Sequence, residues 1–182
     1  MNAVGVSVMS AFATLWWILG LQQSAHGSPA GYALAPILSL ALAVIAWRAQ
    51  RRAPQASEAA RARVGRIVGL ASGAEGLLIL VAANVLDHLG RGDLFAPVVA
   101  VIVGLHFLPL AHWLPVGLYH ATGLLLVAHG LACCAITDLP LRALVTGTGA
   151  AALLWATSAI VTASILRAGR TKADTRLRPS AA

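Results

Sequence analysis

Three ionisable residues, Glu75, His106 and His120, stand inside long apolar runs of this 182-residue chain. Carboxylate and imidazole groups in such surroundings can exchange protons, bind a cation or ligate a metal. An ionised carboxylate at membrane depth costs about 3 kcal/mol even on lenient scales, so Glu75 must be paired, face a wet cavity or be protonated. The alternative is a protonated glutamic acid that only forms a structural hydrogen bond between helices.

The composition indicates a membrane protein. Hydrophobic residues make up 59% of the chain and charged residues only 10%, which is too few to coat a soluble globule. A membrane-spanning helix needs about 20 mostly apolar residues. We therefore predict an all-α polytopic membrane protein whose six transmembrane helices form three hairpins. The predicted spans cover about residues 3–21, 30–47, 67–89, 94–111, 115–137 and 143–166, and a disordered basic tail covers residues 167–182.

The charge-free run from residue 94 to residue 137 must fold back on itself, because its 44 residues are too many for one membrane-spanning helix. Pro109 and Pro115 bracket the sequence AHWL, so the reversal is expected near residues 111–115. A second tight turn, at residues 90–93, joins spans three and four. Helices joined by such turns are antiparallel, and residues equidistant from the turn lie at equal depth.

This hairpin geometry predicts one polar cluster within the membrane. Folding spans three and four about their turn brings Glu75 level with His106, and folding spans four and five about theirs brings His106 level with His120. We assign Glu75 as the proton-exchanging group and the two histidines as its partners, an arrangement that suits proton-coupled movement of a small solute or ion. Depth does not determine helix rotation, so a shared layer is not yet a shared face.

The basic residues predict the orientation. Six arginines occur within residues 48–66 and five basic residues in the tail, out of 13 in the chain. Because cytoplasmic loops hold the excess of Lys and Arg, both termini are predicted to be cytoplasmic, in a bacterial inner membrane. Anionic lipid headgroups are the partner expected at residues 48–66, either along an amphipathic segment or, more simply, beside a solvated loop. No nucleic acid is expected, since the basic residues do not cover a folded domain.

A second set of polar residues is expected in the outer half of the bundle. It comprises Asn84, Asp87 and His88 near the end of span three and His129 in span five. His129 is about half a turn of the helical wheel away from His120, so these two histidines cannot face the same neighbour. The set could line an external vestibule, whereas the simpler interpretation is the hydrated end of a helix.

Glycine recurs every four residues along one face of span three, at Gly65, Gly69 and Gly73. Small residues at this spacing let two helices approach closely in lipid. The face could pack within the monomer or between the copies of a homo-oligomer, and the sequence leaves both interpretations open.

Motifs of soluble enzymes are missing from the sequence, which has no nucleophile elbow, Walker loop or CxxC pair. Catalysis is therefore not expected. Two alternatives to transport stay open. One is a redox protein in which paired histidines bind haem, or in which Glu75, His106 and His120 bind a metal. The other is a noncatalytic accessory membrane subunit. No cofactor is predicted, since no helix carries a histidine doublet of metal-binding spacing.

The stretch GLHFLPLA, residues 104–111, resembles a sequence in a family of small bacterial multispanning membrane proteins with no established activity. The likeness is strong over this stretch and otherwise extends only to hydropathy and the number of spans. His112 stands where that family often has a basic residue. The resemblance implies a fold and a membrane location, but no substrate, activity or cofactor.

Overall fold

The chain is built from α-helices. The structure, a computed structural model, describes residues 3–23, 27–51, 57–114 and 116–177, and these ranges contain no β-strand. The helices are α1 (Ala3–Gln22), α2 (Pro29–Gln50), α3 (Glu58–His88), α4 (Phe95–Trp113), α5 (Leu118–Cys134) and α6 (Leu139–Leu177), with a 3-10 turn at Gly92–Leu94 before α4. The prediction of an all-α protein is confirmed.

Five of these helices are long and apolar enough to cross a membrane, namely α1, α2, α3, α4 with its preceding turn, and α6. α5 is apolar but has 17 residues, and at about 1.5 Å per residue it is shorter than a hydrocarbon core of about 30 Å. Large apolar side chains cover the outside of the molecule; Leu70, Leu40 and Ile37 are 69%, 66% and 65% exposed. Such a surface suits lipid rather than water, and the architecture is compatible with a multi-pass membrane protein.

The first basic segment is mostly helical. The interpretation of residues 48–66 as a solvated loop is corrected, because α2 runs through Gln50 and α3 starts at Glu58. Alanine and arginine are good helix formers, and the Ser57 hydroxyl caps the start of α3 by accepting a backbone N–H. Residues 52–56 lie outside the described part of the chain.

Two further expectations concern the reversal between spans four and five and the C-terminal tail. The reversal predicted near residues 111–115 falls between α4 and α5, with Pro115 itself outside the described residues. The tail is helical through Leu177 rather than disordered, because extending an existing helix adds hydrogen bonds without a new nucleation step. Residues 178–182 are not among those described.

α4 and α5 pack most closely where glycines face the neighbouring backbone. A Cβ added to Gly104 of α4 would lie 2.7 Å from the carbonyl oxygen of Gly123 in α5. A Cβ added to Gly130 of α5 would lie 2.7 Å from the carbonyl oxygen of Pro97 in α4. The two contacts occur in opposite order along the two helices, so α4 and α5 are antiparallel.

The helices α1, α2 and α6 form a second packed group. A Cβ added to Gly147 of α6 would lie 2.5 Å from the carbonyl oxygen of Trp16 in α1. Nearby, the buried Ser39 hydroxyl of α2 donates to the carbonyl oxygen of Ser10 (2.7 Å) and accepts from the indole N–H of Trp155 (2.9 Å). One hydroxyl therefore joins three helices while its own polar oxygen is satisfied.

α3 is the helix with the fewest buried side chains. It packs mainly against α4, and Ala71 is the one α3 residue that the structure describes as buried. The rest of its surface is free to meet lipid or a partner. The face that packs on α4 also carries Glu75.

Candidate functional site

The packing of α3 against α4 brings Glu75 and His106 together. Oε2 of Glu75 lies 3.4 Å from Nδ1 of His106. The two side chains are 16% and 11% exposed, so the pair lies at the contact between the helices. Hairpin geometry accounts for this proximity, since the two residues are at similar distances from the turn that joins α3 to α4.

The contact is electrostatic rather than a well-formed hydrogen bond. Nδ1 of His106 is buried and has no hydrogen-bond partner among the described residues, although the Glu75 carboxylate is within ion-pair distance. A buried ring nitrogen without a hydrogen bond is costly.

The His106 imidazole contacts one aromatic ring, which in turn packs on α5. The imidazole meets Phe107 edge-on with 5.9 Å between ring centroids, and Phe107 meets Tyr119 of α5 at 5.5 Å. Phe107 and Tyr119 are 6% and 9% exposed. These contacts continue the packing of α4 on α5 beside the pair.

The structure does not bring His120 into this pair. His120 is exposed, and its side chain makes no hydrogen bond or ion pair within the described ranges. Its neighbour Tyr119 packs against Phe107 of α4, and adjacent residues of a helix point about 100° apart. When Tyr119 faces α4, His120 therefore faces away from the Glu75 and His106 contact.

Of the four residues expected to form an outer polar group, three share one face of α3 and His129 lies apart from them. Asn84, Asp87 and His88 are exposed on α3, and the Asn84 amide donates to a carbonyl oxygen of its own helix (2.8 Å). His129 faces α6 instead, where its Nε2 lies 3.3 Å from the carbonyl oxygen of Thr146. His129 does not join the other three, because α3 packs on α4 whereas the His129 face of α5 packs on α6.

The glycine face of α3 meets open space. A Cβ added to Gly65, Gly69 or Gly73 would have no heavy atom within 4 Å. The interpretation that these glycines pack within the monomer is therefore corrected, while an interface between copies stays a prediction. The physical reason is rotation: α3 contacts α4 through a different face, the one that carries Ala71 and Glu75.

A histidine–cysteine pair on α5 was not predicted from the sequence. Sγ of the buried Cys133 lies 3.7 Å from Nε2 of His129, one helical turn earlier. Their spacing of four residues was the available signal, because such residues are neighbours on a helix. The pair stands alone as a ligand set: no group of three or more His, Cys, Asp or Glu side chains that could hold a metal occurs in the described ranges.

Arg142 is buried at the start of α6. The Arg142 side chain is 7% exposed and forms an ion pair with Asp93, whose side chain is 28% exposed. The guanidinium also donates to the carbonyl oxygens of Asp93 (3.2 Å) and Ile136 (2.6 Å). This pair joins the 3-10 turn before α4 to the start of α6. No local pattern could reveal it, because Asp93 and Arg142 are 49 residues apart.

Comparison with known proteins gives no match to a family model, to a curated protein or to a solved structure. The function must therefore be inferred from the residues and geometry of the site.

Proposed function

We propose that the protein is a small proton-coupled membrane transporter, or a channel-like protein, for a small solute or ion. Glu75 is the proton-exchanging group and His106 is its partner. The observation that carries the proposal is their 3.4 Å contact within two helices that are each long and apolar enough to cross a membrane. Ionisable residues at such positions commonly mark proton and ion pathways.

The chemistry of the pair suits proton coupling. An imidazole and a carboxylate within ion-pair distance can pass one proton between them. When the pair loses a proton, a negative charge remains in apolar surroundings, where it favours binding of a cation or a positively charged solute. Proton-coupled movement of a solute requires a site whose charge changes when it binds a proton.

The packing of α3 supports the proposal that this helix moves relative to α4. α3 packs mainly on α4, and its glycine face meets open space. A helix with few buried contacts can shift at low energetic cost. α4 is held by its close backbone contact with α5 at Gly104 and Gly123. A shift of α3 along α4 would open and close the contact between Glu75 and His106.

The proposal includes a topology. All six helices, the shorter α5 among them, cross a bacterial inner membrane as three hairpins with both termini in the cytoplasm. The basic residues around the α2–α3 connection and at the end of α6 support this orientation, because basic loops stay in the cytoplasm beside anionic headgroups. The resemblance of GLHFLPLA to a family of small bacterial membrane proteins favours the same placement.

Labelling with a membrane-impermeant thiol reagent tests the topology. The background chain carries alanine in place of Cys133 and Cys134, the two natural cysteines. In intact cells Arg91→Cys and Thr137→Cys should react. Both positions are exposed in connections between helices, and the proposed topology places these connections outside the cytoplasm. Arg61→Cys should react only after the membrane is opened. Reaction of Arg61→Cys in intact cells would contradict the proposed orientation.

The Glu75→Gln substitution tests proton exchange. Glutamine has nearly the shape of glutamate but cannot take up a proton, so this variant should fold and yet lose proton movement. The purified protein is reconstituted into liposomes that hold a pH-sensitive dye and carry a pH gradient. The wild-type protein should dissipate the gradient faster than empty liposomes, either directly or after amino acids, sugars and inorganic ions are added. Glu75→Gln should match the empty liposomes.

Asp87→Asn is the matched control. Asp87 is an exposed carboxylate further along α3 with no ion pair to a described residue. Its neutralisation should leave the proton flux unchanged, whereas His106→Gln should lower the flux as Glu75→Gln does. Equal flux in wild type and Glu75→Gln would contradict the transport proposal. If Asp87→Asn lost as much proton flux as Glu75→Gln, the effect would come from the charge of α3 in general, and the proposed site would be contradicted.

A further inference from the structure

A groove of about 540 Å³ lies where the first turns of α3 pass the end of α4. Arg63 and Arg66 line it from α3 and Trp113 from α4, while Ile67 and Leu70 contribute apolar walls. The two arginines are three residues apart and therefore share one face of the helix. The groove combines two cationic side chains, an aromatic ring with a polar edge, and apolar surface.

The two arginines of the groove have no acidic partner in the described part of the chain. Both Arg63 and Arg66 are exposed, and the ion pairs that the structure describes involve Asp93 or Glu75 instead. A guanidinium without a carboxylate partner can hold a phosphate through paired, charge-assisted hydrogen bonds. The chemistry of the groove therefore favours an anionic phosphate group.

The same face of α3 continues as an apolar strip formed by Leu70, Leu77 and Val81. These side chains are 69%, 62% and 50% exposed. Their spacing of seven and four residues keeps them on one side of the helix. At about 1.5 Å per residue the strip is about 16 Å long, close to the depth of one leaflet, which is about half of a 30 Å hydrocarbon core.

We propose that this groove and strip bind one anionic phospholipid. Arg63 and Arg66 hold the headgroup phosphate, the Trp113 indole lies beside the glycerol and ester groups, and one acyl chain lies along the apolar strip. Charge complementarity selects an anionic headgroup, and tryptophan prefers the level of the headgroups. The inference rests on the proposed placement of α3 and α4 in a membrane, and it does not require proton exchange at Glu75.

Native mass spectrometry of the full chain in detergent tests the lipid site. The protein is titrated with phosphatidylglycerol or with phosphatidylcholine of the same acyl chains. The wild-type protein should retain one molecule of phosphatidylglycerol and should bind phosphatidylcholine more weakly. Each basic residue near an anionic lipid surface contributes about 1 kcal/mol, and about 1.4 kcal/mol corresponds to a tenfold change. The variant Arg63→Gln/Arg66→Gln should therefore bind phosphatidylglycerol about 30-fold more weakly, with unchanged binding of phosphatidylcholine.

The double variant Arg48→Gln/Arg61→Gln is the control. It removes the same charge from the same basic segment, but neither residue lines the groove, so phosphatidylglycerol should bind as in wild type. Equal weakening in both double variants would indicate diffuse attraction and overturn the proposal. Displacement of the lipid by an equal concentration of inorganic phosphate would reveal a free-anion site and overturn it too. Glu75→Gln should bind the lipid normally, so the lipid site and the proton exchange can fail independently.

Discussion

Alanine in place of Gly104 or Gly147 is expected to destabilise the folded protein by about 3 kcal/mol, the upper part of the usual range for overpacking. A Cβ at Gly104 would lie 2.7 Å from both the carbonyl oxygen of Gly123 and the backbone nitrogen of Val127. A Cβ at Gly147 would lie 2.5 Å from the carbonyl oxygen of Trp16. All three neighbouring atoms belong to backbone, so no side-chain rotation relieves the contacts, and the paired helices must move apart.

Gly69→Ala is the matched control for these substitutions. A Cβ at Gly69 meets nothing within 4 Å, and alanine favours a helix over glycine by about 1 kcal/mol. The expected stability equals or exceeds that of wild type. The measurement is the unfolding midpoint of the purified protein in detergent, followed by circular dichroism. If Gly104→Ala unfolds at the same point as Gly69→Ala, then α4 and α5 do not approach as closely as described.

Arg142→Gln is expected to lower the free energy of unfolding by more than the same change at an exposed arginine, because the Arg142 side chain is 7% exposed and its guanidinium leaves the contact with Asp93. The carbonyl oxygens of Asp93 and Ile136 also lose their guanidinium donor. The Asp93 side chain is 28% exposed, so water can solvate part of the carboxylate that is left behind. The loss therefore comes mainly from the missing hydrogen bonds of the guanidinium.

The comparison for Arg142→Gln is Arg91→Gln, which removes a second arginine from the same carboxylate. Nε of Arg91 lies 3.5 Å from Oδ1 of Asp93, but the Arg91 side chain is 56% exposed. Exposed ion pairs contribute about 0–1 kcal/mol, so Arg91→Gln should be nearly neutral in the same unfolding measurement. Similar losses for the two variants would show that burial of Arg142 does not determine the strength of its contact with Asp93.

These two predictions concern the contacts that hold α4 in place, and α4 carries one of the two residues of the candidate site. The contact at Gly104 holds α4 against α5, and the ion pair of Asp93 with Arg142 holds the start of α4 near the start of α6. His106 is therefore carried by a well-anchored helix. Glu75 is carried by α3, which packs mainly on α4. The pair that we propose for proton exchange thus joins a fixed helix to a less constrained one.

The positions of the helices could be predicted because apolar runs of membrane-spanning length separate polar turns. The ends of the helices within the basic segments could not be predicted. The alanine and arginine residues at the start of α3, before Glu75, favour a helix but add no apolar signal. The nearness of Glu75 and His106 also followed from the sequence, because a tight turn converts distance along the chain into depth.

The sequence by itself therefore determined the helical class, the apolar character and the similar distances of Glu75 and His106 from the turn between α3 and α4. Only the tertiary structure decided the rotation of each helix: Tyr119 faces α4 while His120 faces away, and the glycine face of α3 stays unpacked. It also decided the pairing of Asp93 with Arg142. The physical reason is that these helices are apolar on nearly every side, so hydropathy marks depth, whereas rotation depends on which side chains fill the space between helices.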